Sequence, residues 1–274
     1  MSEAALLTAI VLTFAGLTGL AIGSFLNVLI ARTPRLIDAA DGGGPAYVLR
    51  GLAWPPSQCG HCGQRLSWRD NIPAASWLIL RGRCRNCGTA YGARYLFVEL
   101  AGAAIAITAA AAFGPTGQAV LIALFGMGLL ALILIDLEEQ LLPDVIVAPL
   151  LALGLLWQAL YGAGLVDGLL GAAAAFAVLW AIRAAYKLYA GVEGMGFGDL
   201  KFAAMLGAWT GLAAIPAALF IAFAAGAVVS LTLMVLGKMR RDTPAPFGPF
   251  LAAGALAVLA VPALPAALAR LSGF

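Results

Sequence analysis

The sequence predicts an all-α polytopic membrane protein with about eight transmembrane helices and one small polar segment after the first helix. Its 274 residues are 63% hydrophobic and only 11% charged, whereas about 25% of the residues in a typical soluble domain are charged. The hydrophobic residues also occur in long runs, and about 20 of them in succession can span a bilayer. We therefore expect a membrane fold rather than one or two soluble domains.

The predicted spans follow the apolar runs in order. The first run is too long for a signal peptide and has neither a basic stretch before it nor a small-residue cleavage pattern, so we expect it to be retained. It forms the first of three predicted regions: a single span (1–31), a polar segment (32–94) and a seven-helix membrane domain (95–274). The eight spans are residues 5–31, 95–113, 118–135, 143–161, 168–186, 200–210, 213–237 and 250–271.

Positively charged residues decide between eight spans and seven. If residues 200–237 formed one bent helix, Lys238, Arg240 and Arg241 would lie across the membrane from the nine arginines of residues 32–94. Positive residues concentrate in cytoplasmic loops, which favours eight spans and puts the polar segment in the cytoplasm. We assign its arginines to topology and to anionic lipid headgroups. Nucleic acid is not expected, because aromatic residues are sparse there and form no stacking motif.

All four cysteines lie in the polar segment, as Cys59-Gly-His-Cys62 and Cys84-Arg-Asn-Cys87. Two Cys-x-x-Cys pairs are typical of a tetrahedral Cys₄ zinc site, since each pair can bind one ion from a tight turn. Disulfides are the alternative, but they require an oxidising compartment. We therefore predict structural zinc, with His61 exposed rather than a ligand. Four thiolates leave no open position for a catalytic water.

Two aspartates are the candidate catalytic residues. Asp136 ends one apolar run and Asp199 begins another, and a charge within the membrane costs about 3 kcal/mol or more. Asp199 could simply cap the next helix. Asp136 has no such explanation, because it ends a predicted helix, where the dipole disfavours an anion. Two carboxylates that share one proton are the chemistry of aspartic proteases.

Other polar residues near these two aspartates have simpler interpretations. Asp144 follows Pro143 and suits the first turn of a helix, and residues 138–139 lie in a polar link. Glycines at 194, 196 and 198 leave the backbone bare, so an extended substrate could lie against it. We therefore predict that Gly196, Gly198 and Lys201 contact substrate, although Lys201 could instead anchor its helix at the headgroups.

Several motifs together resemble bacterial type IV prepilin peptidases, which are GxGD-type intramembrane aspartic proteases. The two most specific begin at Asp136 and Gly196. The other matches are the paired cysteines and the signature of the first span. The motifs are Asp136-Leu-Glu-Glu-Gln-Leu-Leu-Pro-Asp144, Gly196-Phe-Gly-Asp199-Leu-Lys201, Gly23-Ser-Phe-Leu-Asn27 with Arg32 and Pro34, Arg94-Tyr95 with Glu99, and Pro246-Phe-Gly-Pro-Phe250.

The resemblance implies a protein of the bacterial inner membrane with two activities. Such a peptidase cleaves the leaders of type IV prepilins and of type II secretion pseudopilins at the cytoplasmic face, with Asp136 and Asp199 as the catalytic pair. It then methylates the new amino terminus with S-adenosylmethionine, for which the sequence offers no recognisable binding unit.

Two other functional classes remain open at this point. A proton-coupled transporter also buries acids among glycine-broken helices, but it predicts an internal repeat, which the sequence lacks. A non-catalytic assembly protein predicts that both aspartates tolerate replacement by alanine.

Overall fold

The computed structural model describes residues 2–39, 44–240 and 245–265. Over these ranges the secondary structure is helical, apart from the isolated antiparallel bridges Gln58–Arg65 and Arg83–Ala90. The ten α-helices of the described ranges are α1 (Glu3–Asp38), α2 (Gly44–Ala53), α3 (Ala75–Leu80), α4 (Arg94–Phe113), α5 (Gly117–Glu139), α6 (Asp144–Tyr161), α7 (Leu165–Ala190), α8 (Phe197–Thr210), α9 (Ile215–Val235) and α10 (Gly248–Ala260).

Six segments of the described chain are long and apolar enough to cross a membrane. They are Glu3–Asp38, Arg94–Phe113, Gly117–Glu139, Asp144–Tyr161, Leu165–Ala190 and Leu212–Val235. They coincide with six of the eight predicted spans, which confirms a multi-pass membrane protein. The other two predicted spans correspond to α8 and α10, which have 14 and 13 residues. The eighth prediction extended to residue 271, and its last part lies outside the described residues.

Residues 200–237 form two helices rather than one bent helix. The first, α8, ends at Thr210, and Gly211 follows with φ +76°, a left-handed conformation that glycine adopts without strain. A short 3₁₀ turn, Leu212–Ala214, then leads into α9. Gly211 therefore separates the two helices that the distribution of positive residues predicted for this stretch.

The first helix continues further than the sequence predicted. We expected it to end at residue 31, but α1 runs through Pro34 to Asp38. A proline inside a helix removes one backbone hydrogen bond, so contacts outside the helix must stabilise this end. Pro34 is buried, and Arg32 donates hydrogen bonds to carbonyl oxygens at the end of α2 and just after it, including one of 2.7 Å to Pro55.

The chain divides into two compact units, Met1–Ala131 and Leu132–Phe274, and the division falls within α5. In the first unit, α1 and α4 are in backbone contact through small residues. A Cβ built on Gly102 would lie 2.6 Å from the Gly19 carbonyl oxygen, and one on Gly23 would lie 2.8 Å from the Cα of Glu99. Close backbone approach of this kind is how helices pack in lipid.

In the second unit, α8 is the central helix. Its Trp209 is fully buried and donates a hydrogen bond of 2.8 Å to the Leu150 carbonyl of α6. Gln158, also in α6, donates a bond of 3.0 Å to the Trp209 carbonyl. On another side, Gly207 of α8 meets Gly171 of α7 backbone to backbone. These contacts hold the C-terminal end of α8, whereas Asp199 lies near the start of the same helix.

Candidate active site and metal centre

Asp136 lies in the last turn of α5, as predicted, and its side chain is buried. The residue is 4% exposed. Its Oδ2 accepts a hydrogen bond of 2.9 Å from the backbone N–H of Gly248, the first residue of α10. An unpaired carboxylate in an apolar environment is costly, and this hydrogen bond offsets part of the free-energy cost of burying Asp136.

Asp199 is the third residue of α8. The N-cap of that helix is Gly196, so the alternative that Asp199 is the cap is wrong. The carboxylate instead turns back toward the Gly196 backbone N–H, as an acid does at the third position of a helix in a capping box. Asp199 is partly buried and lies close enough to Asp136 for the two carboxylates to interact electrostatically. The two predicted residues thus lie at the end of α5 and the start of α8, within electrostatic range of each other.

The start of α8 also packs against the link between α5 and α6. A Cβ built on Gly198 would lie 3.3 Å from the Cβ of Leu142, so the chain itself occupies one side of this glycine. Gly196 is exposed and has a free side toward solvent. The substrate roles of both glycines stay predictions, and the geometry favours Gly196 for direct contact.

Lys201 and Asp144 form an ion pair, which the sequence did not predict. Asp144 is the first residue of α6, with Pro143 as the N-cap, so its position at a helix start is confirmed. The side chains are 35% and 62% exposed. The pair links the starts of α6 and α8, and the substrate and headgroup roles of Lys201 stay predictions.

The four cysteines form one cluster, and its geometry fits a metal ion. All four sulfur atoms lie within 4.8 Å of one another, and Cys59 Sγ is 3.9 Å from Cys87 Sγ. Tetrahedral zinc with bonds of about 2.3 Å needs sulfur atoms about 3.8 Å apart, whereas a disulfide needs about 2.05 Å. These thiols therefore form a candidate metal centre and not a disulfide pair. His61 is exposed and does not belong to the cluster.

The two cysteine pairs are local copies of the same turn. Gly63 donates to the Cys59 carbonyl at 3.0 Å, and Gly88 donates to the Cys84 carbonyl at 2.9 Å. The two glycines have φ of +70° and +69°, which favours glycine over other residues. Each turn thus needs the glycine after its second cysteine, a requirement the sequence analysis overlooked.

Hydrogen bonds around two of the sulfur atoms favour thiolates, the form that binds metal. Burial and the neighbouring thiols of Cys59 and Cys87 instead raise the pKa of the Cys84 thiol, despite its backbone hydrogen bonds. Backbone N–H groups of Cys62 and His61 lower the pKa of the Cys59 thiol. Hydrogen bonds from the Thr89 side chain and backbone lower the pKa of the Cys87 thiol to about 6. Asn86 adds a side-chain donor 3.6 Å from Cys62 Sγ.

Hydrogen bonds outside the cysteine cluster stabilise the polar segment of residues 32–94, called the metal segment from this point. Arg85 donates two hydrogen bonds of 2.9 and 2.7 Å to Asp70, and these hold the pKa of Asp70 below its usual value. Glu99 of α4 accepts a bond of 2.7 Å from the Ala74 N–H. Asn27 of α1 donates a bond of 3.0 Å to the Tyr95 carbonyl. Three residues of the sequence motifs, Asn27, Tyr95 and Glu99, thus have structural roles here.

Comparisons with known proteins find matches over most of this chain. A family described as "Bacterial Peptidase A24 N-terminal domain" matches residues 17–113. The "Type IV leader peptidase family" matches residues 121–231. A prepilin leader peptidase/N-methyltransferase from Burkholderia pseudomallei is 44% identical over 275 residues, covering 93% of this chain and 87% of the relative.

Two further relatives carry the same name. The one from Pseudomonas aeruginosa is 42% identical, with 89% of this chain and 88% of the relative covered. The one from Aeromonas hydrophila is 41% identical with the same coverage. This chain belongs to the type IV leader peptidase family. The comparison with solved structures finds no match.

Proposed function

We propose that this membrane protein removes the leader peptides of type IV prepilins and type II secretion pseudopilins and then methylates the new amino terminus. The observation that carries the proposal is that the start of α8, which holds Asp199, packs against the link that follows Asp136. The two carboxylates are then within electrostatic range, in a chain whose relatives are named for both activities. Those names also favour a peptidase over a transporter or a non-catalytic assembly protein.

The two carboxyl groups would hydrolyse the peptide bond without a covalent intermediate. The ionised carboxylate takes a proton from water as the water oxygen attacks the scissile carbonyl carbon. The protonated carboxyl donates a hydrogen bond to the carbonyl oxygen, where negative charge develops. When the C–N bond breaks, the leaving amine takes up the proton that the first carboxylate accepted from water. One carboxyl is then ionised and the other protonated, as at the start.

The site must also accept an unwound segment of substrate. A carbonyl within a substrate helix is hydrogen-bonded and shielded from water, so the residues around the cut have to be extended. Exposed Gly196 offers a bare backbone beside Asp199 for that extended chain to lie against. Lys201 is held by Asp144, and its role toward substrate would be to keep α8 in place.

The protein would lie in the bacterial inner membrane with the metal segment and the catalytic pair on the cytoplasmic side. The nine arginines of residues 32–94 support this orientation, because positive loops stay inside. A cytoplasmic location also keeps the cysteine cluster reduced.

We propose zinc as the occupant of the cysteine cluster, with Cys59, Cys62, Cys84 and Cys87 as ligands. The sulfur separations suit its bond length. A site closed by four thiolates supplies folding stability rather than catalysis.

Methylation requires S-adenosylmethionine, which supplies an electrophilic methyl group to the freed amine. The cavity lined by Ala175, Leu206, Thr210 and Leu251 has a volume of about 20 Å³, which is room for a water molecule and not for a nucleoside. This cavity is therefore too small to hold the methyl donor.

The test is incubation of the purified protein, in detergent or in vesicles, with a synthetic prepilin that carries its leader. Leader release by the wild-type protein, and its absence with either aspartate changed to asparagine, is the expected result. Addition of S-adenosylmethionine should then add one methyl group to the shortened product. A protein that leaves the prepilin intact under all conditions would refute the proposed function.

A further inference from the structure

The start of α10 is built to present one backbone donor to Asp136. Residues at the beginning of a helix have N–H groups without partners inside the helix. Pro249 has no N–H, and the Phe250 N–H is bonded to the Phe247 carbonyl at 3.1 Å. The Gly248 N–H is therefore the donor that remains, and it lies 2.9 Å from Asp136 Oδ2. Among the described residues, the Gly248 N–H is the group that donates a hydrogen bond to the Asp136 carboxylate.

Residue 248 must be glycine for this contact to form. A Cβ built there would lie 2.6 Å from Asp136 Oδ2 and 3.1 Å from its Cγ. Real Cβ atoms essentially never come within 3.0 Å of another heavy atom, so any larger residue would move the carboxylate. Glycine is required at 248 because the backbone lies close to the Asp136 carboxylate, and not because its φ angle is positive.

Aromatic packing holds this segment against α9. The Phe247 ring lies 5.2 Å from that of Phe223 and 6.3 Å from that of Phe250. Gly226 of α9 lies beside the Phe250 ring, and a Cβ there would meet the ring at an ordinary contact distance of 3.4 Å. These contacts fix the aromatic rings on both sides of Gly248. They therefore also fix the position of the Gly248 N–H.

We propose that Gly248 is a positioning residue of the peptidase, which sets the orientation of the Asp136 carboxylate through its N–H and its lack of a side chain. The inference rests on the proposed function. It also extends the site beyond the matched family region, which ends at residue 231. The segment Pro246–Phe250 then contributes to the catalytic centre although none of its side chains is ionisable.

The kinetic test compares Gly248→Ala with the matched control Gly226→Ala. The added methyl at 248 displaces the carboxylate, so we expect kcat for leader release to fall at least tenfold while KM stays within twofold. The methyl at 226 meets Phe250 at an ordinary contact distance, and both parameters should stay close to wild type. A purely structural role for Gly248 would instead lower the thermal midpoint and leave the kcat of the folded protein unchanged.

A cross-linking test checks the geometry even if Gly248→Ala folds poorly. The Cβ built at residue 248 is 3.5 Å from the Cβ of Asp136, within the range that a disulfide needs. The full-length variant Asp136→Cys/Gly248→Cys should therefore oxidise to a 136–248 disulfide, detected by mass spectrometry after digestion. The control pair Asp136→Cys/Gly254→Cys, nearly two helical turns further along α10, should not.

Failure of this inference is distinguishable from failure of the proposed function. Wild-type cleavage, an inactive Asp136→Asn variant and unchanged kcat in Gly248→Ala would overturn the positioning role alone. Absence of the 136–248 disulfide under conditions that oxidise exposed cysteine pairs would overturn it as well. Absence of leader release by the wild-type protein would overturn the function first.

Discussion

Replacing Gly198 with valine would test how the start of α8 holds Asp199 in place. The Cβ of any side chain at 198 lies 3.3 Å from the Leu142 Cβ, whereas carbon atoms prefer separations of about 3.5–4.0 Å. Valine adds two further methyl groups to this contact. Overpacking of this kind costs about 1–3 kcal/mol. If the strain falls on the position of Asp199, kcat/KM for leader release drops by about 5- to 150-fold.

The matched variant is Gly198→Val/Leu142→Ala, in which the opposing side chain is shortened. Leu142 is 7% exposed, so Leu142→Ala alone must be measured for its own cost in stability. We expect the double variant to recover most of the activity lost in Gly198→Val, because the clash lies within the chain. An unrelieved loss with a raised KM would show that residue 198 crowds the substrate instead. A wild-type rate for Gly198→Val would refute both explanations.

Three further predictions concern the metal, the ion pair and the core. Cys59→Ser should abolish binding of about one zinc per chain and increase proteolysis of residues 32–94, with elemental analysis and limited digestion as readouts; full zinc retention would contradict the Cys₄ site. Lys201→Ala and Asp144→Asn should each lower kcat/KM by about fivefold or less, because the pair is partly exposed. A double-mutant cycle should give a coupling energy of about 1 kcal/mol or less. A loss as severe as that of a catalytic aspartate would assign the pair a direct role. Trp209→Phe removes the hydrogen bond to Leu150 and should lower the free energy of unfolding by about 1 kcal/mol, seen as a lower thermal midpoint with unchanged kcat.

The sequence predicted the helices well because hydrophobic length is a local property. Every predicted span has a helix at its position, and the break at Gly211 agrees with the distribution of positive charge. The cysteine cluster was also predictable, since Cys-x-x-Cys spacing is itself a property of a metal-binding turn. The end of α1 was not, because the continuation through Pro34 depends on contacts from Arg32 to distant carbonyl groups.

Contacts between residues far apart in the chain could not be predicted from the sequence. Lys201 and Asp144 are 57 residues apart, and each alone had a sufficient local explanation. Asp136 and Gly248 are 112 residues apart, and no periodicity or charge pattern relates a helix-starting glycine to an acid on another helix. Both aspartates stood out because of their cost in an apolar chain, whereas the glycine beside them carried no such signal.

The central claim is that Asp136 and Asp199 act as one catalytic pair, and a cleavage assay on the two asparagine variants tests it most directly. Each substitution keeps the size of the side chain and removes the ionisable group. We predict that purified Asp136→Asn and Asp199→Asn insert, fold and bind metal as the wild type does, yet release no leader from a synthetic prepilin. Asp144→Asn, assayed alongside, should retain at least about a fifth of the wild-type kcat/KM. Leader release at the wild-type rate by either Asp136→Asn or Asp199→Asn would contradict the account.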